Sequence, residues 1–173
     1  FAPGVLAPLI AIAASAVLAH TLSEDEFRAT LLYNVLQFVK WPEQTRATRG
    51  ALRLCVAESD SPSPAIAQLA GKTVQGQTLV VLQIKAAAEA ATQCDCIWIG
   101  GEQLNFLDQV ALYATRHPIL IVAEGRDAVA RGAAIGITLA GGRARLSIGN
   151  RAARHAGIEI SARLQQIAAK GQS

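Results

Sequence analysis

Hydrophobic and polar positions along this chain alternate between two periods, one helical and one of two residues. Across residues 23–40, Phe27, Leu31, Asn34/Val35 and Phe38 recur near helical spacing, and Leu32, Leu36 and Val39 widen the apolar face. Ser23 suits an N-cap, and Glu26 three residues on completes a capping box. Pro42 is expected to stop this helix, because a residue before proline avoids the helical region. Short apolar runs and short amphipathic runs then take turns. Residues 52–57 read as a strand with Leu52, Leu54 and Val56 on one face, and 62–70 as a short helix. Residues 78–84 are apolar enough for a strand buried on both faces. A turn or two of helix follows at 86–91, then a buried strand at 94–99, an amphipathic helix at 102–115, a strand at 119–122 and a helical piece at 126–131. Strands at 135–139 and 144–148 flank Gly141-Gly142, which supplies a hairpin turn. Asn150 is expected to cap a closing helix that Gly157 interrupts, with Ile158, Ile160, Leu164, Ile167 and Ala168 facing inward.

Short strands alternating with helices imply a parallel sheet covered on both faces. The expected architecture is an α/β, three-layer α/β/α sandwich with a mostly parallel, Rossmann-like sheet, to which the C-terminal β-hairpin adds an antiparallel edge. No linker divides residues 20–173, so they form one domain. Residues 1–19 differ: they carry no charge, are rich in alanine, and place Val17 and Ala19 at the −3 and −1 positions of a cleavage site. That is the pattern of a signal peptide without its basic start. The run is interrupted by Pro8 and falls short of the roughly 20 apolar residues a membrane span needs.

Composition narrows the function. Apolar residues make up 51% of the chain and charged residues 17%, which is globular rather than disordered. The net charge of +3 is spread along the chain, without the clustered basic face of a nucleic-acid binder. The densest basic segment holds Arg143, Arg145, Arg151 and Arg154, with His155 beside them. It reads as a solvated edge strand and helix face, or as a surface for an anion or an acidic partner.

Candidate chemistry is sparse. The three cysteines are Cys55, Cys94 and Cys96. Export makes a disulfide plausible, and the odd count leaves one thiol over. If Cys94 and Cys96 share a strand, they share a face about 6.6 Å apart, too far for an unbent bridge. A bridge from Cys55 to the Cys94 region closes a loop of about 39 residues, worth roughly 4 kcal/mol. A redox dithiol is the sharper reading, but such sites place C-x-x-C at a helix start, and here the spacing is C-x-C on a strand. His20, His117 and His155 are scattered, so no metal is expected. There is no G-x-S-x-G elbow, P-loop or dinucleotide fingerprint. Tyr33, Phe38 and Trp41 read first as core, with part of the group available as an interface anchor.

Taken in order, several pieces resemble one family, the YfiR-like periplasmic proteins. Arg28-Ala29 leading into Leu32-Tyr33-Asn34, then Phe38-Val39-Lys40-Trp41-Pro42, is similar to the family's opening helix. Leu54-Cys55-Val56 is similar to its first strand, and Leu69-Ala70-Gly71-Lys72-Thr73-Val74 with Gly76 to its next signature. Cys94 with Ile97-Trp98-Ile99, Arg131-Gly132 with Ile135-Gly136, and Arg145, Ile148 and Ala156-Gly157-Ile158-Glu159-Ile160-Ser161 with Leu164 continue the series. The resemblance implies a disulfide between Cys55 and Cys94, with Cys96 free. It also implies a repressor that binds the periplasmic domain of an inner-membrane diguanylate cyclase and lowers cyclic di-GMP synthesis, tuned by redox state. The chain departs from the family in having no cysteine in residues 123–153 for a second bridge, and Gly149 and Ala162 stand where polar residues are expected.

The leading expectation is therefore a non-enzymatic periplasmic regulator, a homodimer without cofactor, for which Tyr33, Phe38, Trp41, Arg145, Arg151 and Arg154 are the candidate partner or dimer contacts. A periplasmic small-ligand-binding module is the alternative. Its ligand would sit beyond the strand carboxyl ends, near residues 58–61, Gly100-Gly101 and Glu124-Gly125. A thiol oxidoreductase is the third reading.

Overall fold

A computed structural model describes residues 22–47, 50–57, 63–101 and 103–171. The expected signal segment, 1–19, lies outside them. A seven-stranded sheet forms the middle layer, in the order β3-β4-β2-β5-β6-β7-β8. Strands β2 (Ala51–Ala57), β4 (Gln77–Ile84), β5 (Cys96–Ile99), β6 (Leu120–Glu124) and β7 (Ile135–Ala140) run parallel. At the edges, β3 (Thr73–Val74) and β8 (Arg143–Ile148) are antiparallel to their neighbours.

Side chains two apart along the strands sort into two cores. On one face Leu52, Leu54, Val56, Trp98, Leu120 and Val122 meet buried residues of α1 (Glu24–Leu36), α3 (Pro64–Ala67), α6 (Asn150–His155) and α7 (Ala162–Lys170). On the other, Cys55, Ile97, Ile99 and Ile121 meet α4 (Ala87–Gln93) and α5 (Leu104–Ala114). This is the three-layer α/β sandwich expected, with the C-terminal hairpin on its edge. Gly141 and Gly142 turn that hairpin with φ of 58° and 70°, the left-handed pair that a two-residue turn requires.

Helix α1 opens as its sequence dictates. The Ser23 N–H donates to Glu26 Oε2 at 2.7 Å, and the Glu26 N–H donates to Ser23 Oγ at 3.2 Å. It closes earlier than expected, at Leu36 rather than residue 40. Val39–Lys40 is instead strand β1, paired antiparallel with β9 (Glu159–Ile160), and the Ser161 N–H donates to the Phe38 carbonyl at 2.9 Å. The cause is remote. Gln75, held at φ 48° in the turn from β3 to β4, directs its side-chain amide at the carbonyls of Leu36, Gln37 and Val39. The first two are helix-end acceptors that need a donor.

Four other expectations change. Strand β4 is not buried on both faces: it lies one from the edge, β3 covers only its first two positions, and Val80 is 36% exposed. Residues 126–131 form successive turns rather than a helix. The N-cap of α6 is Gly149, not Asn150, and no side chain caps it. A Cβ at Gly149 would lie 2.3 Å from the Ala133 carbonyl oxygen, which accounts for glycine where a polar residue was expected. Ile167 is 47% exposed; the inward stripe of α7 is Leu164 and Ala168, one turn apart, and Ile167 sits about 100° round from Ala168.

Candidate functional site

The segment Cys94-Asp95-Cys96 places a disulfide sulfur, a buried carboxylate and a buried thiol on three successive residues. Helix α4 ends with Cys94 as its C-cap, φ −113° and ψ 141°, and the chain bends at Asp95 before β5 begins at Cys96. That bend corrects the expectation of a shared face. Cys94 points with Cys55 into the core under α4 and α5, whereas Cys96 lies in the opposite core with Leu54 and Trp98. Cys55 and Cys94 are bonded, with Cα atoms 5.7 Å apart, well inside the range a disulfide spans. Cys96 is the free thiol, fully buried. Burial first, and then the charge of Asp95, push its pKa above the usual thiol value, so it stays neutral. A redox-active thiol needs the reverse, an accessible thiolate.

Asp95 is buried, and Arg53 wraps it. The Arg53 backbone N–H and Nε donate to Oδ2 at 2.9 and 3.2 Å, and Nη2 donates to Oδ1 at 3.4 Å. The Asp95 carbonyl accepts the Trp41 indole N–H and the Leu120 N–H, both at 2.9 Å. One residue thus ties β2, β5, β6 and the segment after α1 together, beside the disulfide. Arg53→Ala removes the guanidinium from a carboxylate that is 3% exposed. It is expected to cost about 3 kcal/mol, read by urea unfolding; a loss below about 1 kcal/mol, the level of an exposed pair, would contradict this role.

The aromatic candidates separate. Trp41 is 5% exposed and belongs to the core. Tyr33 is half-buried, donates to the Thr73 carbonyl at 2.8 Å and lies under Lys72 Nζ, 5.7 Å from the ring centroid. Phe38 is half-buried beneath the Arg163 guanidinium at 5.7 Å. The arginine candidates stand elsewhere. Arg145 is exposed on β8, at the opposite sheet edge from the β3 that Tyr33 touches, in a tray of about 730 Å³ shared with Arg126, Thr138, Arg143 and Ser147. Arg151 and Arg154 are exposed on α6. The six do not form one patch.

At the carboxyl end of β6, Glu124 is occupied from α1. Arg28 Nε donates to Oε2 at 2.9 Å and Nη2 to Oε1 at 3.2 Å, and the guanidinium also meets Glu24 and Asp25. The hydrogen bond to Glu124 outweighs desolvation and raises the Arg28 pKa, holding the pair charged. Gly101 packs on it; a Cβ there would lie 3.8 Å from Glu124. The described part of the crevice where parallel sheets take ligands is thus crossed by an internal ion pair, and residues 58–61 fall outside the described residues. Among the described residues, no three or more His, Cys, Asp or Glu side chains are placed to hold a metal, and no helix is long and apolar enough to cross a membrane.

Sequence reasoning passed over Asp95, Arg53, Gln75 and the Arg28–Glu124 pair, because each acts across the fold. It also passed over Leu112, which is 72% exposed on α5. That residue had a signal: it falls off the stripe set by Leu107, Val110 and Ala114.

A family model described as YfiR/HmsC-like matches residues 25–169. No curated protein matches the chain. Among solved structures, a conserved domain protein from Vibrio cholerae O1 biovar El Tor is similar, with a TM-score of 0.53 and 16% identity over 85% of this chain and 60% of that one. The chain thus spans about three-fifths of that protein's length, and the likeness is one of fold.

Proposed function

This chain belongs to the YfiR/HmsC-like family, and from that premise we propose that it is a periplasmic repressor that sequesters the outer domain of an inner-membrane diguanylate cyclase. The family supports a periplasmic regulator of the diguanylate cyclase pathway in general. The match over residues 25–169 carries the reading. In the proposed mechanism the folded sandwich holds the sensor domain in a geometry that keeps the cyclase inactive, and cyclic di-GMP synthesis falls. A homodimer presenting two such surfaces is part of the proposal.

The arrangement of charged groups supports binding over chemistry. Asp95, Arg53, Arg28 and Glu124 are partly or fully buried charges, and each is engaged with another in holding elements together. Redox tuning, in this reading, acts through stability. The Cys55–Cys94 bond joins β2 to the end of α4 deep in one core, so reduction lowers the amount of folded repressor rather than exposing a reactive thiol.

A strain lacking this protein, but retaining the cyclase, should show raised cyclic di-GMP. Restoring the exported protein should return it to the starting level, and a version retained in the cytoplasm should not. An unchanged cyclic di-GMP level in the deletion strain would contradict the proposal.

A further inference from the structure

A groove of about 510 Å³ runs between α5, the turns at residues 128–132 and α6. Small side chains that are buried or half-buried make its floor: Ala111, Ala114, Val129, Gly132, Gly149 and Ala152. The floor is fixed by close packing. Gly132 has φ 107°, and a Cβ there would lie 2.7 Å from the Ala111 Cβ, so the turn rests directly on α5. Leu112 stands on the rim, and at 72% exposed it is the most exposed of the large hydrophobic residues described. An apolar floor of small residues beside such a leucine leaves room for one large apolar side chain from outside.

Charge completes the picture. Asp108 and Arg131 pair across the groove at 2.8 Å. Arg151 and His155, both exposed, line its α6 side and form no ion pair among the described residues. The lining is therefore apolar at the floor and cationic along one wall. Two copies of this chain, each with a net charge of +3, would meet repulsion across this wall. An acidic partner meets no such repulsion.

We infer that the α5–α6 groove is the surface that takes the partner protein, and that the segment it takes is amphipathic, with one large apolar side chain beside Leu112 and carboxylates facing Arg151 and His155. This rests on the reading of the chain as a partner-binding repressor. The Arg145 tray and the Tyr33–Phe38 edge lie outside the contact.

The test uses the oxidised exported protein and the purified periplasmic domain of the cyclase. Leu112→Asp and Arg151→Glu alter exposed side chains, so their thermal midpoints should match the wild type. Each should weaken binding about tenfold or more, the scale of an interface anchor, and Arg151→Glu should also flatten the salt dependence. Arg145→Glu, in the tray, should leave affinity within about twofold. Wild-type affinity in both groove variants would overturn the groove while leaving the repressor reading intact. Variants that lose self-association but keep partner binding would also overturn it, making the groove a contact between copies. If the wild type itself fails to bind, the repressor reading falls and the groove with it.

Discussion

Replacing both bridged cysteines, Cys55→Ala with Cys94→Ala, is expected to lower the unfolding free energy by about 4 kcal/mol. The bond closes a 39-residue loop that spans α3, β3, β4 and α4, and cutting it returns that loop's freedom to the unfolded chain. For a domain of this size the thermal midpoint should drop by roughly 8–16 °C. Reductant should produce the same loss slowly, because both sulfurs are buried and must wait for local opening. Equilibrium urea unfolding of the double variant checks this. A change below about 1 kcal/mol, outside the usual 2–4 kcal/mol of a disulfide, would show that the bond does little for the fold and would remove the stability route for redox control.

Trp41→Ala should be nearly as damaging, at about 4 kcal/mol. Its ring lies in the core under α1, and its indole N–H reaches the Asp95 carbonyl at 2.9 Å. The substitution opens a cavity and leaves a buried acceptor with one donor fewer. Trp41→Phe separates the two effects: it keeps most of the volume and should cost about 1–2 kcal/mol, mainly the hydrogen bond. Were Trp41 a partner contact, Trp41→Ala would keep its stability and lose binding. The structure requires the opposite order, with stability lost first.

The N-terminal half of α1 was legible because its signals are local: Ser23 and Glu26 cap each other within one turn. So was the hairpin, since Gly141-Gly142 between two alternating runs admits few other conformations. The end of α1 was not legible. Its carbonyls are taken by Gln75, whose own left-handed backbone depends on the β3–β4 turn. The faces of Cys94 and Cys96 were misjudged for a related reason. Two residues apart means one face only inside a strand, and β5 starts one residue after the bend at Asp95. Burial of β4 was overstated because apolar content does not reveal strand order, and only the order shows that β3 covers two of its positions.

The candidate site was legible in pieces. Arg151 and Arg154 were drawn from a dense basic segment that also held Arg145, and the fold sends Arg145 to a different cleft. Tyr33, Phe38 and Trp41 were grouped by neighbourhood in the sequence, and Trp41 turned out to serve the Asp95 junction. In the proposed groove Leu112 carries more weight than any of them, because it is apolar, exposed and beside a fixed floor. It could have been recognised as the apolar residue of α5 that misses the helix's own inward stripe.

Calorimetric titration of the oxidised protein with the periplasmic domain of the membrane diguanylate cyclase tests the central claim most directly. Saturable binding at a fixed stoichiometry, lost when the Cys55–Cys94 variant is held above its lowered midpoint, is the predicted result. No heat of binding across the titration, confirmed by failure to co-migrate on gel filtration, would contradict it.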